Sequence, residues 1–190
     1  ETLVVLNILM FLLVGFIEFS FAMNQWNLAA KATQIGARLA AVSDPVDSSL
    51  TTWTGLGPFS GPPGNPIPSA PFPGDPIDPT QNNYEIVCGT NPPNPSACNL
   101  VSGNYVGTTP TYDQDAMGWL VDGSDYDPAN PTDLHCDASA TPGKRLVIGM
   151  CDVLPSIGPE NVNVRYQFTG LGYAGRPSGA IPTITVSLTG

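Results

Sequence analysis

The sequence predicts an α+β protein: one long N-terminal helix, then a small antiparallel sheet domain with proline-rich loops and disulfides. Three observations predict it. Residues 2–23 are almost wholly apolar. All 21 prolines lie beyond residue 43, as do all four cysteines. Near the C-terminus, apolar and polar residues alternate in two runs, the pattern of half-buried strands.

Composition divides the chain in the same place. Residues 1–43 balance Glu1 and Glu18 against Lys31 and Arg38. The remainder carries the whole formal net charge of −10. So acidic a surface repels polyphosphates, and no basic patch is present, which excludes nucleic-acid binding.

The helix comes first. As a helix, residues 2–23 extend about 33 Å, enough to cross a hydrocarbon core of roughly 30 Å. The run lacks the basic start and small-residue cleavage site of a secretory signal. The chain opens on Glu1 without a methionine, which suggests a processed product or a missing start. Helical spacing continues through "NQWNLAAKATQIGARLAAVS", where Leu28, Ala32, Ile35, Leu39 and Val42 form a thin stripe. Small residues recur four apart at Ala32, Gly36 and Ala40, a spacing that lets helix backbones approach closely. Asp44 followed by Pro45 ends the helix, since a residue before proline avoids helical dihedrals.

Glu18 stands inside the oily run. At 100° per residue, Asn7, Glu18 and Gln25 fall within roughly 20° of one another and form a polar seam. In lipid alone the seam is a liability. Between packed helices it can form hydrogen bonds, or meet Lys31 or Arg38 of a staggered neighbour. The other reading is a single anchor whose Glu18 lies near the headgroups, protonated or exposed.

Residues 44–83 form a linker or strap in which proline density excludes helix and central strand. It is either a spacer or an ordered strap anchored by Trp53, Phe59, Ile67, Phe72 and Ile77. Residues 84–190 form the β domain. "YEIVCGTNPPNPSACNLVSGNY" reads as a short strand and a cysteine-closed loop. "YDQDAMGWLVDG" reads as a brief helix turning Met117 and Leu120 inward. Strands are predicted at 144–150, 161–168 and 182–188. In the last two, Val162, Val164, Tyr166 and Phe168, then Ile184, Val186 and Leu188, face in. The cysteines read as disulfides of an oxidising compartment. Of three possible pairings, the short loops Cys88 to Cys98 and Cys136 to Cys151 are favoured.

No motif for catalysis stands out. His135 beside Cys136 raises a zinc site, but no C-x-x-C pair supports it. Asp133 with His135 suggests a base, yet no serine elbow occurs. Asp122, Asp125 and Asp127 in "DGSDYD" are weak calcium candidates, because the glycine comes too early for an EF-hand and no glutamate closes the loop. A solvated turn is the other reading. The expectation is a protein that is not an enzyme and carries no cofactor.

The N-terminal residues resemble the TadE/TadG-like proteins of the tight-adherence pilus, a branch of the type IV pilin world. The likeness rests on Glu1 opening the oily helix, on "GFIEF" at 15–19, and on "AAKATQIGARLAAV" at 29–42 around Gly36, Ala37 and Arg38. The C-terminal "NVNVRYQFTGLGYAGRP" is similar to the ending of such proteins. The resemblance implies a pilin-like assembly helix marked by Glu1, Asn7, Glu18, Gly36 and Arg38. A prepilin peptidase would remove a leader, and Glu1 would meet a neighbour's amino terminus. Membrane assembly machinery would move subunits from the bacterial inner membrane into an extracellular filament of copies of itself or homologous pilins, engaged in adhesion. The alternative is a monomeric membrane-anchored binding module, with the helix as a tether.

Overall fold

A computed structural model describes residues 2–53, 84–91, 94–103, 109–136, 146–172, 174 and 180–189. Among the described residues, three helices and a four-stranded sheet build the fold. They are α1 (Thr2–Val42), α2 (Ser49–Thr52), β1 (Tyr84–Asn91), β2 (Asn94–Gly103), α3 (Gln114–Asp122), β3 (Val162–Gly172) and β4 (Ala180–Leu188), with a 3-10 turn at Pro159–Asn161. The sheet is antiparallel throughout, in the order β2-β1-β3-β4. The upper half of α1 lies across β4 and touches α3.

Helix α1 runs unbroken for 41 residues, about 60 Å, because nothing in it breaks the hydrogen-bond ladder. Helix α3 is fixed at both ends. Asp113 caps it by accepting from the Asp115 and Ala116 amides at 3.0 and 3.1 Å. Gly123 closes it at φ +69°, where a side chain would be strained. Met117 and Leu120 are buried, as the pattern predicts.

The strand pattern holds for β3 and β4. Val162, Val164, Tyr166 and Phe168 are buried on one face, and Ile184, Val186 and Leu188 are half-buried beside α1. Three readings need correction. The cysteine-closed loop is a hairpin: β2 pairs with β1, and Cys88 faces Cys98 in the register, joined by a disulfide. Pro95 is tolerated because β2 is an edge strand, where a missing N–H interrupts no second ladder. The described part of 144–150 is not a strand. Its residues are stitched to the end of α3, through Met150 N–H to Leu120 O at 3.3 Å and Cys151 N–H to Val121 O at 2.9 Å. The Cys136–Cys151 disulfide holds this turn in place, so Leu146 is 92% exposed while Met150 is buried.

Residues 44–53 pack on the head as a strap and include the helix α2, against the expectation that proline density excludes helix, since 46–53 contain no proline. Val46, Asp47, Leu50 and Trp53 are buried. Trp53 meets Tyr84 and Phe168 edge-on, with centroids 5.1 and 6.1 Å away. The other strap anchors, Phe59, Ile67, Phe72 and Ile77, lie outside the described residues.

Asp47 organises this junction. Its Oδ1 accepts from the Thr111 amide at 2.8 Å, the Ser49 amide at 3.1 Å and the Ser49 hydroxyl at 2.7 Å. Next to it, the Val46 amide donates to the Tyr166 hydroxyl at 2.8 Å. The strip leaving α1 is thereby tied to the strip entering α3 and to β3. Asp47 Oδ2 is buried with no hydrogen-bond partner among the described residues, and burial pushes the carboxyl pKa up despite the three donors.

A raised folded-state pKa means that the native state holds the proton more tightly than the unfolded chain does. Asp47 therefore adds stability below the ordinary carboxylate range and loses that contribution as pH rises through its folded pKa. Asp47→Asn keeps the acceptor and removes the buried charge. It should melt at or above the wild-type temperature at neutral pH, with the gap narrowing on acidification. Asp47→Ala removes the acceptor of the Thr111 amide and should cost about 1–3 kcal/mol. An Asn variant melting well below wild type at neutral pH would refute this account.

Candidate functional site

The site built from the residues upward is α1 itself. Every described side chain from residue 5 to 27 is exposed, including Phe11, Phe16, Ile17 and Phe19. The segment Val5–Val42 is long and apolar enough to cross a membrane, and its most apolar window has no share buried in the fold. From Leu28 the helix changes character. Ala32, Gly36, Leu39 and Ala40 are buried against the head, and Ile35 is half-buried. One rod thus has a bare lower arm and an upper arm covered on one side.

The predicted residues fall on both parts. Asn7, Glu18 and Gln25 are exposed on the bare arm and share a heading. Gly36 follows Glu18 by about five full turns, so the seam points along the same line as the head-docked face above it. Arg38 and Lys31 are exposed on the opposite side, and neither makes an ion pair among the described residues. Glu1 lies outside the described residues.

The small-residue row reads differently in the structure. Ala32, Gly36 and Ala40 suggest contact with another helix, but here they receive the protein's own head. The Met150 side chain fills the dent at Gly36. A Cβ there would overlap its sulfur and lie 3.1 Å from its Cγ. Val42 leaves the predicted stripe and is 81% exposed. Sequence reasoning missed Met150 because it sits in a turn far along the chain, with no periodic neighbour to mark its burial. The one local signal is a glycine kept inside a helix, where it costs about 1 kcal/mol against alanine.

Among the described residues, Asp122, Asp125 and Asp127 do not form a group of three metal-ligand atoms. Asp122 is fully buried and accepts from the His135 amide at 3.0 and 3.1 Å, with His135 Nδ1 at 3.3 Å. Asp127 instead accepts from the Asn130 side chain and the Ala129 amide, both at 2.9 Å. These bonds, the Asn130 contact first, hold its carboxyl below the usual range. Among the described residues, Asp122, Cys136 and Cys151 bring ligand-type atoms within 4.8 Å of one another. The two sulfurs are bonded to each other, which removes the thiolates a metal needs.

An open cleft of about 640 Å³ lies where α1 meets α3, edged by Asp44, Asp113, Asp115, Trp119 and Tyr126. The Tyr126 hydroxyl donates to Asp115 at 2.9 Å. Burial, and then this hydrogen bond, push the phenol up to about 12, so it stays protonated. The cleft pairs carboxylates with aromatic edges.

Residues 1–38 match the family model of TadE-like proteins, a pilus-associated family. The matched segment covers the bare arm and most of the head-docked stripe, the part on which the sequence resemblance rests. No curated protein and no solved structure matches the chain.

The joint between rod and head generates a test. Gly36→Leu should force Met150 from its seat and lower the melting temperature of the detergent-solubilised protein, by about 1–3 kcal/mol of overpacking. Adding Met150→Ala should recover part of the loss. Unchanged melting of the single variant would show that the dent carries no packing.

Proposed function

We propose that this chain, whose N-terminal segment carries the TadE-like signature, is a structural subunit of an extracellular pilus-like filament or of its assembly complex. It polymerises through α1 and has no catalytic role. The observation that carries the reading is the bare apolar arm on a helix whose upper half is rigidly docked to a folded head. In water such an arm is untenable, so lipid must cover it before assembly and neighbouring helices afterwards. Partners are then copies of this chain or homologous pilins, with a prepilin peptidase and membrane machinery acting beforehand. The protein would rest in the inner membrane and then move to the cell surface, where the head faces its surroundings and adhesion is the natural task.

One observation favours the monomeric tether. The small-residue row is already used by the chain's own head, so it does not by itself require a second helix. The two readings separate cleanly. Material sheared from cells that carry the assembly machinery should contain this chain in fibres by electron microscopy and immunolabelling. Phe11→Asp together with Leu12→Asp should lower its fibre content at least tenfold. Recovery of the wild-type chain solely as membrane-bound monomer would sink the filament reading and leave the tether.

A further inference from the structure

We propose that a second copy of this chain docks on the polar seam of α1, displaced by about 20 Å toward the N-terminal end, so that Glu18 of one copy meets Lys31 of the next and Gln25 meets Arg38. The proposal rests on the assembly reading above and specifies its contact surface.

Asn7, Glu18 and Gln25 stand eleven and then seven residues apart. Ser20, Lys31 and Arg38 stand eleven and then seven apart as well. At 100° per residue the second row also holds within about 20°, and it lies about 220° around the helix from the first. All six side chains are exposed. A single displacement of thirteen residues therefore brings three polar pairs together between parallel copies: Asn7 with Ser20, Glu18 with Lys31, and Gln25 with Arg38.

Charge and shape point the same way. Glu18 is the one carboxylate of the bare arm, and Lys31 and Arg38 are the basic residues of α1. None of the three has an ion-pair partner among the described residues. A carboxylate entering an apolar environment needs a cation, and a neighbour's ammonium supplies it. The head limits the register. It covers the seam's heading from about Leu28 upward, at Ala32, Gly36 and Ala40. An unshifted neighbour on this face would run into it. At thirteen residues' displacement, Val42 of the next copy, the last residue of its helix, comes level with Ala29, just below the obstruction. Lys31 and Arg38 are exposed, and no described part of the head covers them. A displacement of twenty residues pairs Glu18 with Arg38 and Asn7 with Asn27, but sets Gln25 against Pro45, beyond the helix. Since the two rows lie on opposite sides and at different heights, the contact is heterologous and extends instead of closing.

Cross-linking tests this on the full chain, expressed with its assembly machinery. The native cysteines are paired at 88–98 and 136–151, so new thiols can be addressed selectively. With Glu18→Cys and Lys31→Cys in one chain, a short bifunctional maleimide should give a ladder of dimers, trimers and higher multimers. Either single variant should give no ladder, and Glu18→Cys with Arg38→Cys at most a faint one. Glu18→Lys should cut fibre incorporation at least tenfold, and Lys31→Glu in the same chain should restore it. If the wild-type chain is in fibres but the first double variant matches the singles, the register is wrong while the filament reading stands. A stronger ladder with Arg38→Cys, or an adduct to a protein of different mass, overturns it equally. A wild-type chain that stays monomeric overturns both.

Discussion

A single continuous helix meets two environments, and the rest of the structure follows from that. Its backbone hydrogen bonds are satisfied internally, so α1 can stand in lipid, in protein or in water as far as the main chain is concerned. The side chains decide. Fourteen large apolar residues between Val5 and Met23 are exposed. Burying such a side chain is worth roughly 2 kcal/mol, so leaving the arm in water forgoes on the order of 20–30 kcal/mol. That exceeds the whole stability of an ordinary domain, about 5–15 kcal/mol. Nothing the head does can offset it, so the arm must be covered from outside the fold.

The head settles where that cover can begin. It does not hang from the helix by a linker. Met150 fills the dent at Gly36, β4 lies along the upper arm, and Asp47 ties the strip after α1 to Thr111. Val46 and Tyr166 add a second tie from that strip to β3. Rod and head therefore share one core. The Cys88–Cys98 disulfide ties β1 to β2, and Cys136–Cys151 ties the segment before residue 137 to the turn beside α3. An acidic head of limited size gains rigidity from these staples, which a small core alone supplies poorly.

Much of this was legible in the sequence, and the illegible parts share a cause. The helix, the inward faces of β3 and the buried pair Met117 and Leu120 follow from local period, whereas spacing favoured the pairing of Cys88 with Cys98 and of Cys136 with Cys151 without deciding it. The described part of the strand predicted at 144–150 differs because its backbone bonds to the end of α3, a contact between distant segments. The loop between Cys88 and Cys98 hid a strand because prolines argue against a central position and cannot report an edge. The row Ala32, Gly36 and Ala40 signalled a close approach correctly but could not name what approaches. Asp122 looked like a surface ligand, since nothing local reveals that the His135 amide would bury it.

The same limits decide what distinguishes lipid from protein around the bare arm. Lipid tails are as apolar as leucine, so the oily residues gain little on passing from bilayer to helix bundle. Their burial holds the arm out of water without choosing between the two covers. Asn7, Glu18 and Gln25 do discriminate. In hydrocarbon each lacks partners, and a carboxylate at the centre of a bilayer costs about 3 kcal/mol or more. Beside a rod carrying Ser20, Lys31 and Arg38, each meets a complementary group. In the proposed assembly the preference for a protein neighbour thus comes from a few polar side chains, and the apolar majority supplies the confinement that makes those few decisive.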